Sequence, residues 1–555
     1  MQTPKIKTVT DILLITLPPW GLENPPIGLG YLDSYIRNKG LKSEVYDFNI
    51  HFYNTATFDC KMLWHVENKN YWSNEKTFLV ICKIFENQIN FTVEKILSYQ
   101  TELIGFSVVD PKERMTIEVI KRVKKFDVNK KIILGGPACS TEEQRNFFVD
   151  NLPSQIDYFV VGEGEQTLYE IVEQKQKKIS NNNLPGVAYR INGHWESLSR
   201  SPIDPLDKVY FPDYRNFDLK QYLSKKSILV EWSRGCLGQC SFCKNYRLVA
   251  GYRRKSPEVV LKELSFLVNN YGIDTFTVCD NLMNGDILQL KEVCALIIKN
   301  NLKVNWSGQI APRTQMQDYL FRQMHLAGCF KVQVGVESGS QKVLKLMKKP
   351  YSPQVAAKNL KAAKQSGLET EIFLLVGFPG ESEMEFKKTL NFVKKNHSYI
   401  DTIKSINTLH LIAGTQIYEN PGHFNLEPLP KNDWHYLWQT KDGNTYAIRK
   451  ERVQQLLDLA VVYGIKVQET NIKEGKELFL IDSLQVNDEN KILDFKNSLH
   501  CIQPLPSQRQ FYKKTRSLGK WVLLFLSTGF IFFYIAYFWF LMALRKKIIL
   551  GGKKE

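Results

Sequence analysis

Arg234-Gly-Cys-Leu-Gly-Gln-Cys-Ser-Phe-Cys243 sets three thiols, Cys236, Cys240 and Cys243, at spacing CxxxCxxC. A loop this short wraps all three sulfurs around one face of a metal centre, and Gly235 and Gly238 supply the backbone freedom for the tight wrap. Three ligands are one too few for a closed structural zinc site, which takes a fourth Cys or His. The next cysteine, Cys279, lies in a strand-like run, and the next histidine is His325. That deficit favours a 4Fe-4S cluster with one iron left open.

The surroundings of the loop decide the fold. An apolar run over 227–233 predicts the strand that delivers the loop. Ser256-Pro257-Glu258 then starts a helix, with the hydroxyl as N-cap, proline at the first position and an acid on the positive end of the dipole. Strands follow at 274–279, 303–307, 331–336, 369–376 and 402–411, with helices at 286–300, 316–327, 353–366 and 383–395 between them. About six strand-helix units predict an open, partial (β/α)6 TIM-type barrel over 226–425, with its site at the carboxyl ends of the strands. Pro202, Pro205 and Pro212 mark a linker over 201–225. A mainly helical region is expected over 426–515.

Before the linker, strands at 12–17, 44–48, 103–108, 131–135 and 157–161 alternate with helices. This order predicts a Rossmann-like, doubly wound parallel sheet over 1–200, broken by a helical insertion near 51–100 that carries Trp64, Trp72, Phe78 and Phe85. Glycines stand at the strand ends in Gly135-Gly136-Pro137 and Gly162-Glu163-Gly164.

The Cys triplet with its neighbour Phe242 resembles the signature of the radical S-adenosylmethionine (SAM) superfamily. Further motifs occur in the expected order. Asp280 in Thr-Val-Cys-Asp-Asn281 matches the position facing the SAM amino group, and Glu337 in Val-Gly-Val-Glu-Ser-Gly-Ser340 resembles the acceptor of the ribose hydroxyls. Gly377 and Gly380 of Gly377-Phe-Pro-Gly-Glu381 stand where backbone approaches adenine, and Arg313 is a candidate partner of the SAM carboxylate. Leu411-Ile-Ala-Gly-Thr415 departs from the Pro-Gly-Thr form of this branch, which puts the far barrel wall in doubt. Upstream, Pro25-Pro26-Ile-Gly-Leu-Gly-Tyr-Leu32, Ile-Gly-Phe-Ser107, Leu-Gly-Gly-Pro137 and Val-Gly-Glu-Gly-Glu165 resemble the cobalamin-binding domain of one branch of that superfamily. Gly28, Ser107, Gly135, Gly136, Gly162 and Glu163 are the corrin-side candidates this implies. An Asp-x-His-x-x-Gly stretch is absent, so the resemblance implies a corrin held base-off. It further implies reductive cleavage of SAM, an external electron donor such as flavodoxin or ferredoxin, and methyl transfer to an unactivated carbon of a small-molecule substrate. Ring formation or oxidation is the rival within the class, and a non-catalytic cobalamin or redox sensor is the rival outside it. A methylthiotransferase is disfavoured, because residues 1–200 hold no second Cys triplet.

The formal charge of +17 is concentrated at the end of the chain: residues 509–555 hold ten Lys or Arg against one Glu, leaving +8 for the rest. No basic cluster with interleaved aromatics stands out in the body, so a nucleic-acid partner is not expected. Ten cysteines in 555 residues form no disulfide framework. Outside the triplet they read as plain buried thiols, and the cluster places the catalytic domains in the reducing cytoplasm. No signal peptide is read at the start. Trp521 to Leu544 is an uncharged run flanked by basic residues. As a helix it measures about 36 Å, enough for a bilayer core of ~30 Å, and a transmembrane or monotopic segment is expected. From this anchor a lipid-like or membrane-associated substrate is expected.

Overall fold

The computed structural model describes residues 8–19, 21–65, 68–179, 183–245, 249, 251–428 and 437–471. The 521–544 segment lies outside them. Among the described residues no helix is long and apolar enough to cross a membrane.

The first sheet is built on β1 (Ile12–Thr16), whose five residues are all buried, with β2 (Ser43–Asp47) on one side and β3 (Leu103–Ser107) on the other. β4 (Lys131–Gly135) and β5 (Tyr158–Val160) continue it in parallel. The strand order reverses at β1, which leaves a crevice at the carboxyl ends of β1 and β3. Residues 48–97 form helices, Phe48–Thr55, Lys69–Ser73, Glu75–Ile84 and Glu86–Leu97. Two antiparallel strands, β6 (Val187–Ile191) and β7 (His194–Ser197), close the far edge. Their turn is Asn192-Gly193, with φ of 49° and 86°, a sequence pair suited to a two-residue hairpin.

The second sheet runs in chain order as a parallel half barrel. Its strands are β8 (Ser227–Val230), β9 (Thr275–Val278), β10 (Asn305–Ile310), β11 (Cys329–Glu337), β12 (Glu369–Val376), β13 (Thr402–Thr408) and β14 (Lys466–Thr470). β14 comes from the region expected to be mainly helical. The helix Tyr446–Val462 does form, but Gly464 ends it, and the following five residues pair with β13. Without that strand β13 would end the sheet with an open edge. One face of each central strand is buried under helices: Val332, Val334 and Val336 of β11 alternate with Lys331, Gln333 and Glu337.

A buried ion pair fastens the two sheets together. Lys255 and Glu263 belong to the barrel, and the Lys255 ammonium donates to Glu263 at 2.5 Å and to Tyr31 Oη of the first domain at 2.8 Å. Removing one partner of such a pair strands the other charge. Lys255→Met is therefore expected to lower unfolding free energy by about 3–5 kcal/mol. The double change Lys255→Met with Glu263→Met should recover most of the loss in urea titrations. A double variant as unstable as the single would refute this account.

Candidate active site

The cluster loop is closed at its base by a short antiparallel ribbon in which Ser233 and Arg234 pair with Arg254 and Arg253. Gly235 has φ of +86°, and a Cβ there would lie 1.7 Å from the Gly251 carbonyl oxygen, so only glycine fits. Gly238 serves differently: a Cβ built on it would touch Cys236 Sγ at 3.5 Å and Cys240 Sγ at 3.6 Å. These two sulfurs thus flank one point, while Cys243 Sγ accepts from the Asn245 amide at 3.4 Å. Among the described residues no three His, Cys, Asp or Glu side chains converge on a single metal ion. A spread, half-buried thiol triplet suits a polynuclear cluster, in which each sulfur binds a different iron. Ser241 anchors the loop from behind, its amide donating to the Met347 carbonyl and its hydroxyl to the Leu346 carbonyl, both at 3.1 Å.

Around the thiols stand Phe242, which meets Phe378 edge-on at 6.4 Å, and Glu337, whose φ is +60°. The Glu337 carboxylate pairs with the Lys349 ammonium at 2.9 Å. Lys349 also lies 5.3 Å above the Phe242 ring. Burial alone would lower its pKa, but Glu337, Tyr351 and Cys240 outweigh that and hold it well above the usual lysine range. The sequence carries no signal for Lys349, because only the packing of its loop brings it to the thiols.

The other SAM-side candidates have partners within the protein. Asp280 is buried and accepts from the Trp232 amide at 2.8 Å and the Ser233 hydroxyl at 2.6 Å, which ties β9 to the start of the cluster ribbon. Arg313 donates to the Gly285 carbonyl at 3.0 Å, and its amide donates to Asn359 at 2.8 Å. Gly377 has φ of +73°, and a Cβ on it would meet Arg449 Cγ at 2.3 Å; at Gly380 it would meet Leu346 Cδ1 at 2.7 Å. The helix Tyr446–Val462 thus covers the Gly-Phe-Pro-Gly turn, and the fully buried Arg449 runs past Gly377 to stack on Trp438 at 3.7 Å.

All six corrin-side candidates meet at one place. Gly28, Ser107, Gly135, Gly136, Gly162 and Glu163 line a cavity of about 570 Å³, which lies over the carboxyl ends of β1 to β5 and reaches Ser233, Arg234, Cys279 and Asp280 of the barrel. A Cβ on Gly28 or Gly162 would meet nothing within 4 Å, so these glycines shape open space. Gly136 differs, since its Cβ would strike the Val108 carbonyl oxygen at 2.5 Å. The Glu163 carboxylate is shared by Arg253 and, at 3.2 Å, Arg234. Cys279 is no plain buried thiol: it is exposed toward this cavity. Two further wall residues escaped the sequence reading. Lys112 donates to Thr16 Oγ1 at 2.8 Å, and burial, opposed by the Asp47 carboxylate, holds its pKa down to about 8. Asn24 presents a buried oxygen with no hydrogen-bond partner among the described residues.

The thiol triplet stands on a parallel half barrel, beside a Rossmann-like sheet whose strand ends share a cavity with the root of the triplet's loop. Residues 230–393 match the Radical SAM superfamily model, so the half barrel carries a radical SAM domain. Curated relatives include an uncharacterized methyltransferase of Pyrococcus horikoshii, 26% identical over 69% of this chain and 78% of that protein. An anaerobic magnesium-protoporphyrin IX monomethyl ester cyclase of Rubrivivax gelatinosus is 25% identical; the match covers 54% of this chain and 55% of the cyclase, so the chain spans about half its length. Among solved structures, the cobalamin-dependent radical enzyme OxsB with aqua-cobalamin bound shares the fold at TM-score 0.63 and 16% identity, over 92% of this chain and 75% of that one. The methyltransferase TsrM from Kitasatospora setae, with cobalamin and a [4Fe-4S] cluster bound, does so at 0.60 and 15%, over 79% and 83%.

Two outcomes test this geometry. Gly377→Ala should destabilise the protein by about 1–3 kcal/mol, and less in an Arg449→Ala background, because the two changes share one contact. Burial pushes the Asp280 carboxyl up to about 7 from its ordinary 3.8. Between those values the folded state keeps a proton that the unfolded chain has released, so stability falls as pH rises through the window. Asp280→Asn should flatten that part of the melting-temperature profile, and an unchanged slope would contradict the assignment.

Proposed function

We propose that the protein is a cobalamin-dependent radical SAM methyltransferase acting on an unactivated carbon. The observation that carries this reading is the shared cavity, lined by Ser107, Gly135, Gly136, Gly162 and Glu163 at strand ends of the first sheet, by Gly28 in the first turn of the helix Ile27–Asn38, and by the root of the cluster loop. When bound, a 4Fe-4S cluster supplies the electron that splits SAM reductively, and a corrinoid supplies a transferable methyl group. In this reading Cys236, Cys240 and Cys243 hold the cluster, Phe242 shields it, and Glu337 accepts the ribose hydroxyls after exchanging its bond to Lys349. Asp280 and Arg313 fix the loops on which SAM rests, and Gly377 and Gly380 keep the turn beneath adenine compact. Gly28, Ser107, Gly135, Gly136 and Gly162 would hold a corrinoid in this cavity, and Glu163 would secure its wall through Arg234 and Arg253. The described residues that line the cavity include no histidine, and the corrin is proposed to be held base-off. An external electron donor of the flavodoxin or ferredoxin kind completes the system.

Purified protein from cobalamin-supplemented cells should carry a base-off corrin absorbance. Gly28→Phe, whose new side chain would enter open space, should abolish that absorbance while leaving about four irons per chain. Cys240→Ala should lose the irons, and Cys279→Ala should keep them. Methyl-d3 SAM should deliver its label to product, whereas an unlabelled, ring-closed or oxidised product would transfer the assignment to the cyclase-like rival. We further propose that the 521–544 run anchors the enzyme at a membrane. Deleting residues 517–555 should move it to the soluble fraction with its irons intact.

A further inference from the structure

Gly377-Phe378-Pro379-Gly380-Glu381 leaves β12 as a turn whose two glycines take left-handed backbone, at φ of +73° and +87°. Such a turn has little conformational preference of its own, so its shape comes from the groups that hold it. Both backbone polar groups of Gly377 are held by side chains. Its amide donates to the buried Glu381 carboxylate at 2.7 Å, and its carbonyl accepts from Asn444 Nδ2 at 2.9 Å. Glu381 in turn faces Arg452, whose guanidinium donates to its carboxylate at 3.1 Å and to its carbonyl at 3.0 Å. Burial pushes the Glu381 carboxyl up to about 7, although Arg452 and the Gly377 amide oppose the rise. Without the arginine this carboxyl would be protonated at neutral pH, and its bond to the Gly377 amide would lose its charge assistance.

Asn444 is fixed from behind. Its carbonyl accepts from the buried Arg449 at 3.1 Å, Arg449 also donates to the Trp438 carbonyl at 2.7 Å, and Trp438 Nε1 donates to the Leu409 carbonyl at 2.7 Å. Phe378 of the turn is buried in one cluster with Trp438 and Leu409, and Phe242 of the cluster loop packs against that cluster. The turn therefore stands between the cluster loop and the segment 438–452. That segment lies beyond residue 393, where the Radical SAM match ends.

We propose that Arg452, acting through Glu381, and Asn444, acting on the Gly377 carbonyl, are positioning residues for SAM, whose affinity thus depends on a segment outside the matched domain. The proposal rests on the reading that this turn meets the adenine of SAM. A glycine turn ordered only on binding would subtract its ordering entropy from the affinity, whereas a turn already braced does not. Arg452 and Glu381 are buried, and they act on the ligand only through the shape of the turn.

The test uses full-length enzyme with its cluster reconstituted and left unreduced, so that SAM is not consumed, and equilibrium dialysis against SAM. Arg452→Gln should raise the dissociation constant about tenfold, the worth of a hydrogen bond to a charged group, while keeping one SAM site per cluster and about four irons per chain. Asn444→Ala, which removes a neutral bond, should raise it about fivefold. Arg452→Lys keeps a charge beside Glu381 and should bring back most of the affinity. A merely structural brace would lower the number of sites per chain and leave the remaining sites at the wild-type dissociation constant; that result overturns the proposal. Arg452→Lys binding as weakly as Arg452→Gln overturns it as well. Normal SAM binding without label reaching product refutes the methyl-transfer reading and leaves the brace standing, whereas a wild-type protein that binds no SAM overturns both.

Discussion

Arg234 stands two residues before Cys236, and its guanidinium is held by three carboxylates: Glu231 of its own strand end at 2.6 Å, and Glu165 and Glu163 of the first domain at 2.7 and 3.2 Å. Arg253, its partner in the ribbon, also binds Glu163. Burial by itself would lower the Arg234 pKa; Glu165 and Glu231 more than compensate and raise it. The Tyr31 ring lies 5.0 Å from the same guanidinium and 5.3 Å from the Lys255 ammonium. In a buried network of this kind each charge depends on its neighbours, since loss of one leaves the others desolvated and unpaired. The position of the thiols, the closure of the ribbon and the spacing of the two sheets therefore belong to one electrostatic unit. Gly162, between the strand end and Glu163, brings the cavity wall into the same unit.

The parts of this arrangement that are local in sequence could be read before any coordinates. Cys236, Cys240 and Cys243 are close by covalent spacing alone, and alternation of apolar runs with capped helices predicted both parallel sheets. The six corrin-side candidates came from a family resemblance in the order of their motifs; five of them stand at or just past strand ends of the first sheet, where such sheets leave a crevice, and Gly28 stands in the helix Ile27–Asn38. The hairpin β6-β7 was also legible through Asn192-Gly193, a signal left unread. What sequence does not carry is the choice of partner. Asp280, Glu163 and Arg313 are polar residues at strand ends, and nothing in their neighbourhoods distinguishes a ligand contact from a bond to Trp232, Arg253 or Gly285. Gly377 illustrates the same limit: a glycine in a turn is visible, but its collision with Arg449 is set by a helix about seventy residues later. β14 was hidden because Lys466–Thr470 is short and half-polar, and its strand character comes from pairing with β13.

The two spaces flanking the cluster loop differ in lining, and the difference follows from what surrounds each sheet. In the first domain helices cover both faces, so free volume arises only beyond the strand ends, where Gly28 and Gly162 hold side chains away. In the half barrel one sheet face is covered and the other curves around a lumen that seven strands do not close. On that concave face Lys331, Gln333 and Lys404 stay half-exposed. Glu371 of β12, buried on that face, accepts from Lys331 and Gln333 of β11 and from Gln468 of β14, a brace across the strands.

The cavity reaches the root of the cluster loop at Arg234 and Gly235, and that loop has little freedom of its own. Ser241 is bonded to the carbonyls of Leu346 and Met347, Ile417 donates back to the Ser241 carbonyl, and Gly235 admits no side chain. Radical chemistry requires such placement, because a reactive carbon quenches on whatever group lies nearest. The rigid loop, the strut at Arg234 and the covered turn at Gly377 thus serve one end: they leave motion to the ligands and hold the protein still.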